Sequence, residues 1–156
     1  NFIGARPQEN TPKDSWISFF RESRLLPQFK AADRYFSDSD RSQNTKLLDN
    51  LEKFLTEPEK PSLLHGDLWG GNVLADKDGK AILIDSAAYV GHAEADIAMT
   101  ELFGGFPPSF YDAYKMQAGY EERRDLYNLY HLLNHLNMFG ESYLTPVQSI
   151  VAEYVG

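Results

Sequence analysis

The residues best suited to chemistry lie in two short runs, His65–Asn72 and Ile84–Asp85, which a predicted β-hairpin connects. Between the runs, Asp78-Gly79 stands between apolar segments, a strong hairpin signal because both turn positions need a positive φ. With Asp78 and Gly79 as the two turn residues, counting outward places Asn72 directly opposite Asp85. Directly opposed residues share one face of a hairpin, so the sequence predicts an amide oxygen and a carboxylate close together at its open end.

This predicted pair has the chemistry of a magnesium site. Mg²⁺ prefers hard oxygen ligands and is typically held by one or two protein groups plus substrate phosphate and water. Asp67 lies on the loop just before Asn72, near enough to act as a base beside the metal. A one-residue error in the turn would move Asn72 and Asp85 to opposite faces, so the predicted register is a testable geometric statement.

The spacing of these residues resembles the catalytic loop of kinases. There, an Asp base is followed five positions later by a metal-binding Asn, and a second metal-binding Asp follows the next strand. Asp67, Asn72 and Asp85 match those positions. Gly66 stands where protein kinases usually have Arg, and Asp85 is followed by Ser86-Ala87 rather than Phe-Gly. This pattern resembles the small-molecule kinases of the aminoglycoside and choline type.

A narrower resemblance, to the fructosamine (ketosamine) kinase family, covers nearly the whole chain. It rests on four runs of residues: Asn1-Phe2-Ile3-Gly4 with Pro7-Gln8; Trp16 with Phe19-Phe20-Arg21-Glu22 and Arg24-Leu25-Leu26-Pro27; His65-Gly66-Asp67-Leu68-Trp69-Gly70-Gly71-Asn72; and Asn134-His135-Leu136-Asn137 before Phe139-Gly140. The resemblance implies ATP-dependent phosphorylation of protein- or amine-linked ketosamines at the third sugar carbon. It also implies Asp67 as the catalytic base and Asn72 and Asp85 as ligands of Mg²⁺.

Four further residues are candidates around this centre. We expect His65 to hydrogen-bond backbone and support the loop of Asp67, and the kinase resemblance suggests that Asp96 braces the same loop. Trp69 would offer an apolar face to a sugar ring, and His135 would line the substrate pocket, although packing roles for both stay open. His131 and His135 are four residues apart on one helix face, but a zinc site is disfavoured because the Glu of the His-Glu-x-x-His motif and a third ligand are missing.

Composition restricts the class of protein. The chain has 156 residues, of which 42% are hydrophobic and 24% charged, as in ordinary globular domains. Its net charge of −8 argues against a general nucleic-acid surface, and no apolar run is long enough for a membrane helix. Cysteine is absent, which excludes disulfides and thiolate metal sites. We predict a cytoplasmic protein, with which the absence of Cys is compatible, and we expect no nucleic-acid or membrane partner.

The phosphate-gripping features expected of a kinase are missing from the sequence. No Gly-x-Gly-x-x-Gly run occurs, and no strand with a phosphate-binding Lys precedes the catalytic loop. We therefore expect residues 1–156 to form a single domain, the C-terminal lobe, with the nucleotide-gripping N-terminal lobe of the same enzyme absent. As an isolated chain, this lobe should fold, bind ATP poorly and show no kinase activity.

The predicted fold class is α-rich α+β, the helical C-terminal lobe of a protein-kinase-like fold with a small β-hairpin that carries the metal ligands. The first predicted elements are a helix capped at Thr11-Pro12 that Pro27 breaks or restarts, a second helix over 28–36, and a third that follows a cap region at Asp38-Ser39-Asp40 and carries apolar residues at helical spacing from Leu47 to Leu55. A strand over 62–64, helices over 94–103, 108–117 and 121–139, and a last helix capped at Thr145 follow, with loops over 1–10 and 86–90. Two rival functions remain: an aminoglycoside- or choline-type kinase, and a non-catalytic binding module that keeps the lobe fold.

Overall fold

The computed structural model describes all 156 residues and is rich in helix. Seven α-helices follow one another along the chain: α1 Trp16–Phe19, α2 Leu26–Ala31, α3 Asp38–Asp49, α4 Glu94–Leu102, α5 Pro108–Asp112, α6 Tyr120–Phe139 and α7 Leu144–Val155. Six short strands form three separate antiparallel pairs: β1 Phe2–Ile3 with β2 Arg6–Pro7, β3 Ser62–Leu64 with β6 Tyr89–Gly91, and β4 Val73–Ala75 with β5 Ala81–Leu83. None of the helices combines the length and the apolar character needed to span a bilayer.

The long helix α6 forms the centre of the core. Its predicted apolar stripe is confirmed, since each of the following residues is at most 3% exposed: Leu126, Leu129, Tyr130, Leu133 and Leu136. The helix packs on α4 and α7, and it also contacts α2. Because α4 follows the predicted catalytic loop in the chain and α6 carries His135, this packing fixes the two halves of the candidate site relative to each other.

The first helix begins later than predicted. Its N-cap is Ser15, whose Oγ accepts a hydrogen bond from the Ser18 amide, while the Glu57 carboxylate accepts the amides of Trp16 and Ile17 at 2.8 and 3.2 Å. Two acceptors therefore satisfy the free N–H groups of the first turn, which makes a cap at Thr11 unnecessary.

A helix restarts at Pro27, one of the two outcomes predicted for this residue, but α2 begins at Leu26 and ends at Ala31 rather than at Phe36. A π-helical turn over Phe20–Leu25 joins α1 to α2, and the Leu26 amide donates to the Arg21 carbonyl five residues back. Pro27 stands in the first turn of α2, where its missing N–H leaves no hydrogen bond unmade.

Three other predicted boundaries are corrected. Helix α5 ends at Asp112 instead of reaching Gln117, whose side chain hydrogen-bonds to the His92 ring at 3.0 Å. Helix α7 begins at Leu144, so Thr145 lies inside its first turn and is not the cap. The expected loops at 86–90 and 1–10 contain strands β6 and β1–β2, which are only two or three residues long and carry little sequence signal.

The register predicted for the β4–β5 hairpin is wrong by one residue. The observed pairs are Val73 with Leu83, Leu74 with Ile82, and Ala75 with Ala81. The turn contains three residues rather than two: Asp76 pairs with Lys80, and Gly79 adopts a φ of +78°. The Asp76 Oδ1 atom accepts the amides of Asp78 and Lys80, both at 2.8 Å, which stabilises this longer turn.

As a result of this shift, Asn72 lies opposite Ile84, whose amide donates to the Asn72 carbonyl at 3.0 Å. The predicted Asn72–Asp85 ladder pair does not exist.

Candidate active site

The side chain of Asp96 on α4 holds the predicted catalytic loop in place. The carboxylate of Asp96 accepts the backbone amides of His65 at 2.6 Å and Gly66 at 2.9 Å. Burial raises the pKa of Asp96, and these two hydrogen bonds oppose that rise by favouring the charged form. The two residues before Asp67 are therefore held by a side chain from a rigid helix.

Two contacts join this loop to the segment around Asp85. The His65 ring accepts the Asp67 amide at Nδ1 (3.3 Å), so its Nε2 carries the proton and donates to the Ile84 carbonyl at 2.9 Å. Gly66 has a φ of +84°, and a Cβ placed on it would lie 2.1 Å from the Ala87 carbonyl oxygen. Only glycine allows the two backbones to approach this closely.

Asp67 lies half-buried at the end of this loop. Asn72 donates from Nδ2 to the Asp67 backbone carbonyl at 2.9 Å and to its Oδ2 at 3.2 Å. Burial raises the pKa of Asp67, the hydrogen bond from Asn72 lowers it, and the nearby charge of Asp85 raises it further. The net effect is a raised pKa, which makes the carboxylate a better proton acceptor than an exposed aspartate.

Asn72 and Asp85 carry the oxygen atoms that a magnesium ion would need. Because Nδ2 of Asn72 is engaged by Asp67, the amide is oriented with Oδ1 unbonded. Asp85 is exposed and is the only non-glycine residue with a positive φ, at 56°. Backbone strain of this kind concentrates at functional sites. An amide oxygen and a carboxylate are ligand types that fit Mg²⁺, although the hairpin register does not pair these two residues.

A cavity of about 310 Å³ opens beside Asp67, within the size range of small-molecule sites. It brings together three residues singled out in the sequence, Asp67, Trp69 and His135. The remaining lining residues are Ile3, Gly4, Met99, Phe103, His131, Asn134, Met138 and Phe139. A larger groove of about 580 Å³ lies beside α1 and β6 and contains none of the predicted site residues.

Aromatic rings form one wall of this cavity. Phe103 contacts Trp69 edge to face, with ring centroids 6.2 Å apart, and the His135 ring lies 5.1 Å from Phe103. The Trp69 ring is folded back over Gly71, where an added Cβ would meet it at 2.3 Å. The glycine at position 71 therefore has a physical reason, since a side chain there would displace the indole from the cavity.

The sequence interpretation missed two members of this wall. The sequence indicated no site role for Phe103 or Phe139, which are 39% and 63% exposed. Each stands at the C-terminal end of a helix, directly before Gly104 and Gly140. That position beside a helix-ending glycine is the signal that could have identified them.

The chain is similar in sequence to known proteins along its whole length. A family model described as fructosamine kinase matches residues 1–156. The chain is 45% identical to the protein named protein-ribulosamine 3-kinase, chloroplastic, of Arabidopsis thaliana, over 99% of this chain and 49% of that protein. It is 41% identical to a protein named probable ketoamine kinase from Synechocystis sp., over 98% of this chain and 53% of that protein. The chain thus spans about half the length of the curated relatives it matches.

Solved structures show the same architecture. A crystal structure from Thermobifida fusca, of a protein provisionally assigned as a fructosamine-3-kinase, superposes with a TM-score of 0.86 at 38% identity. The match covers 97% of this chain and 55% of that one. A protein with the same assignment from Haemophilus somnus gives a TM-score of 0.83 at 32% identity.

Proposed function

Since this chain belongs to the fructosamine kinase family, we propose that it forms the catalytic and substrate-binding lobe of a ketosamine kinase. The reaction would transfer the γ-phosphoryl group of ATP to a sugar hydroxyl, at the third sugar carbon, of a small or protein-linked ketosamine. The observation that supports this most directly is the position of Asp67, which lines a cavity walled by Trp69 and His135 and is hydrogen-bonded to Asn72.

Asp67 would accept the proton of the substrate hydroxyl as that oxygen attacks phosphorus. Its raised pKa and its place in the cavity suit a general base. Asn72 and Asp85 would hold Mg²⁺, which supplies neutralisation of the phosphate charge when bound. His65 and Asp96 would keep the loop of Asp67 in place through their backbone hydrogen bonds.

Trp69 and His135 would bind the sugar. Their rings, with Phe103 between them, give an apolar wall against which the C–H face of a sugar can pack. A cavity of this size admits one monosaccharide unit, while the amine-linked remainder would extend toward solvent past the exposed ring of Phe139. This arrangement is compatible with a protein-linked substrate, because only the sugar needs to enter.

ATP would be held between this lobe and a second, nucleotide-binding lobe of the same enzyme. The Gly-rich loop and strand lysine that grip phosphates in kinases have no counterpart in these 156 residues. The cytoplasm remains our predicted compartment, although the Arabidopsis relative is named chloroplastic.

The proposed function is tested by Asp67→Asn in a full-length enzyme containing this chain. The amide keeps the shape but cannot take the proton, so kcat should fall by about 10²–10⁴-fold while the ketosamine KM changes little. A kcat within about tenfold of wild type, a barrier change of only about 1.4 kcal/mol, would remove Asp67 from the role of base.

A substrate panel separates this proposal from its closest rival. The wild-type enzyme should phosphorylate fructosamines or ribulosamines in preference to aminoglycosides and choline. Equal or better rates with choline or an aminoglycoside would contradict the ketosamine assignment, and the absence of any magnesium-dependent turnover would favour a non-catalytic binding module.

A further inference from the structure

Gln8, far from the catalytic loop in sequence, is buried against the segment that follows Asp85. The residue is 5% exposed and follows strand β2 directly. Its side-chain Nε2 donates to the Ala87 carbonyl at 2.8 Å and to the Asn1 Oδ1 atom at 3.1 Å, and its Oε1 accepts the Tyr130 hydroxyl at 2.7 Å. Both ends of this amide are therefore engaged, and its orientation is fixed.

The carbonyl that Gln8 holds occupies a critical place in the backbone. Ala87 is two residues after Asp85, whose φ of 56° is unusual for a non-glycine residue. On its other side, the same carbonyl oxygen packs against Gly66, the residue before Asp67. The Ala87 peptide thus lies between the Gln8 amide and the catalytic loop, and its position sets the distance between the two loops.

The neighbouring contacts strengthen this clamp. Asn1 donates from its side-chain Nδ2 to the Ala88 carbonyl at 2.6 Å, and the backbone N–H of Gln8 donates to the Asn1 backbone carbonyl at 2.9 Å. Burial raises the pKa of the Tyr130 hydroxyl, so it stays protonated and acts as the donor to Gln8. The donor of the Gln8 amide is then directed to Ala87 and no alternative orientation satisfies both partners.

We propose that Gln8 is a positioning residue for the magnesium site, which acts through the Ala87 carbonyl to hold Asp85 in register with Asp67. This inference rests on the proposed function, because it presumes that Asp85 binds the metal. It differs from that function in assigning a role to a residue that touches neither substrate nor metal. Groups hydrogen-bonded directly to metal ligands commonly change metal affinity by about 10- to 100-fold when removed, and Gln8, which acts through the backbone, should lie at the lower end of that range.

The test uses a full-length enzyme containing this chain and the variant Gln8→Met, which preserves side-chain length and removes all three hydrogen bonds. Mn²⁺ replaces Mg²⁺ as an observable probe, and its dissociation constant is measured by electron paramagnetic resonance with a non-hydrolysable ATP analogue present. The Mg²⁺ concentration for half-maximal rate and the ketosamine KM are measured alongside. We expect the Mn²⁺ constant to rise by about tenfold or more while the ketosamine KM stays within about twofold.

A matched control separates positioning from stability. Val151 on α7 is 2% exposed and lies in the core away from both loops, so Val151→Ala should lower the melting temperature without changing the Mn²⁺ constant. If Gln8→Met behaves like Val151→Ala, with a lower melting temperature and an unchanged Mn²⁺ constant, the proposal is overturned. Should Gln8→Met fail to fold, Tyr130→Phe provides the second variant, because it removes only the hydroxyl that orients the Gln8 amide. A rise of about threefold in the Mn²⁺ constant is then expected, less than for loss of the whole clamp, and no change would overturn the proposal.

The variant Asp85→Asn separates the metal-binding role proposed for Asp85 from the positioning role proposed for Gln8. If Asp85→Asn weakens Mn²⁺ binding and Gln8→Met does not, the metal site stands and the role of Gln8 is refuted. If Asp85→Asn has no effect on Mn²⁺ binding, the metal assignment itself fails and the role of Gln8 fails with it.

Discussion

A buried ion pair between α4 and α6 offers a direct test of how the structure holds its site together. Arg123 donates to Glu94 through Nε at 2.9 Å and Nη2 at 2.7 Å, and the two side chains are only 6% and 2% exposed. These hydrogen bonds raise the pKa of Arg123, whose guanidinium stays charged. Glu94 stands two residues before Asp96 on α4. The ion pair therefore anchors the helix that carries Asp96, whose carboxylate holds the loop before Asp67.

Glu94→Gln removes the negative charge and leaves the guanidinium of Arg123 buried without a carboxylate. Breaking a buried pair in this way costs about 3–5 kcal/mol, because the remaining charge keeps its desolvation penalty and loses its partner. For a domain of this size, about 2–4 °C of melting temperature is lost per kcal/mol, so the expected decrease is roughly 6–20 °C. The double variant Glu94→Gln with Arg123→Met should recover part of this loss, since no unpaired charge then remains.

The assay is urea and thermal unfolding of the 156-residue chain followed by circular dichroism. Asp33→Asn is the control, because Asp33 forms a similar pair with Arg41 at 2.8 Å, but with side chains 59% and 43% exposed. Exposed pairs contribute about 0–1 kcal/mol, so this variant should unfold close to wild type. If Glu94→Gln lowers the free energy of unfolding no more than Asp33→Asn does, the reasoning from burial is wrong.

Three further predictions follow from the candidate site. Gly71→Ala should displace the Trp69 indole and shift its fluorescence in a Trp16→Phe background, whereas Gly70→Ala, where a Cβ meets nothing within 4 Å, should leave the spectrum unchanged. Burial lowers the pKa of His131 to about 3, so between about pH 6.5 and 3 this imidazole is protonated in the unfolded chain and neutral in the folded one. The free energy of unfolding should therefore fall by up to about 1.4 kcal/mol per pH unit between pH 6 and 4. His131→Leu should remove this contribution to the slope. The isolated chain should show no micromolar binding of Mg-ATP in calorimetric titration and no turnover in a coupled kinase assay, and either observation would contradict the need for a second lobe.

The parts of the fold that the sequence predicted well are those fixed by long periodic patterns. Helix α6 carries an apolar stripe over 20 residues, and its observed bounds differ from the predicted ones by one residue. Over such a length, burial of one face dominates the choice of structure, and local exceptions average out. Short elements lack this averaging, which is why the sequence predicts loops where strands β1, β2 and β6, of two or three residues each, form.

The grouping of Asp67, Trp69 and His135 could be predicted only through the family resemblance. Asp67 and Trp69 are neighbours in sequence, but no spacing argument brings His135 to them from the far end of α6. The structure places all three on one cavity, while their catalytic and binding roles stay predictions. The sequence did not identify Phe103 and Phe139 as cavity residues. An apolar residue at the end of a helix can either pack in the core or line a cavity, and its type does not tell which.

The hairpin shows why the candidate roles of Asn72 and Asp85 do not depend on the predicted register. A one-residue shift reverses the faces of a strand only where its alternation continues, and here the β5 ladder ends at Leu83. Asp85 lies beyond that end with a left-handed φ of 56°, and Asn72 belongs to a 3₁₀ turn rather than to β4. Neither side chain is therefore directed by the pleat. Asn72 is oriented by its hydrogen bonds to Asp67, and the backbone of Asp85 is held between the contacts of His65 with Ile84 and of Gln8 with Ala87. The predicted pairing failed because neither residue lies within the β4–β5 ladder, and tertiary hydrogen bonds hold their surroundings instead.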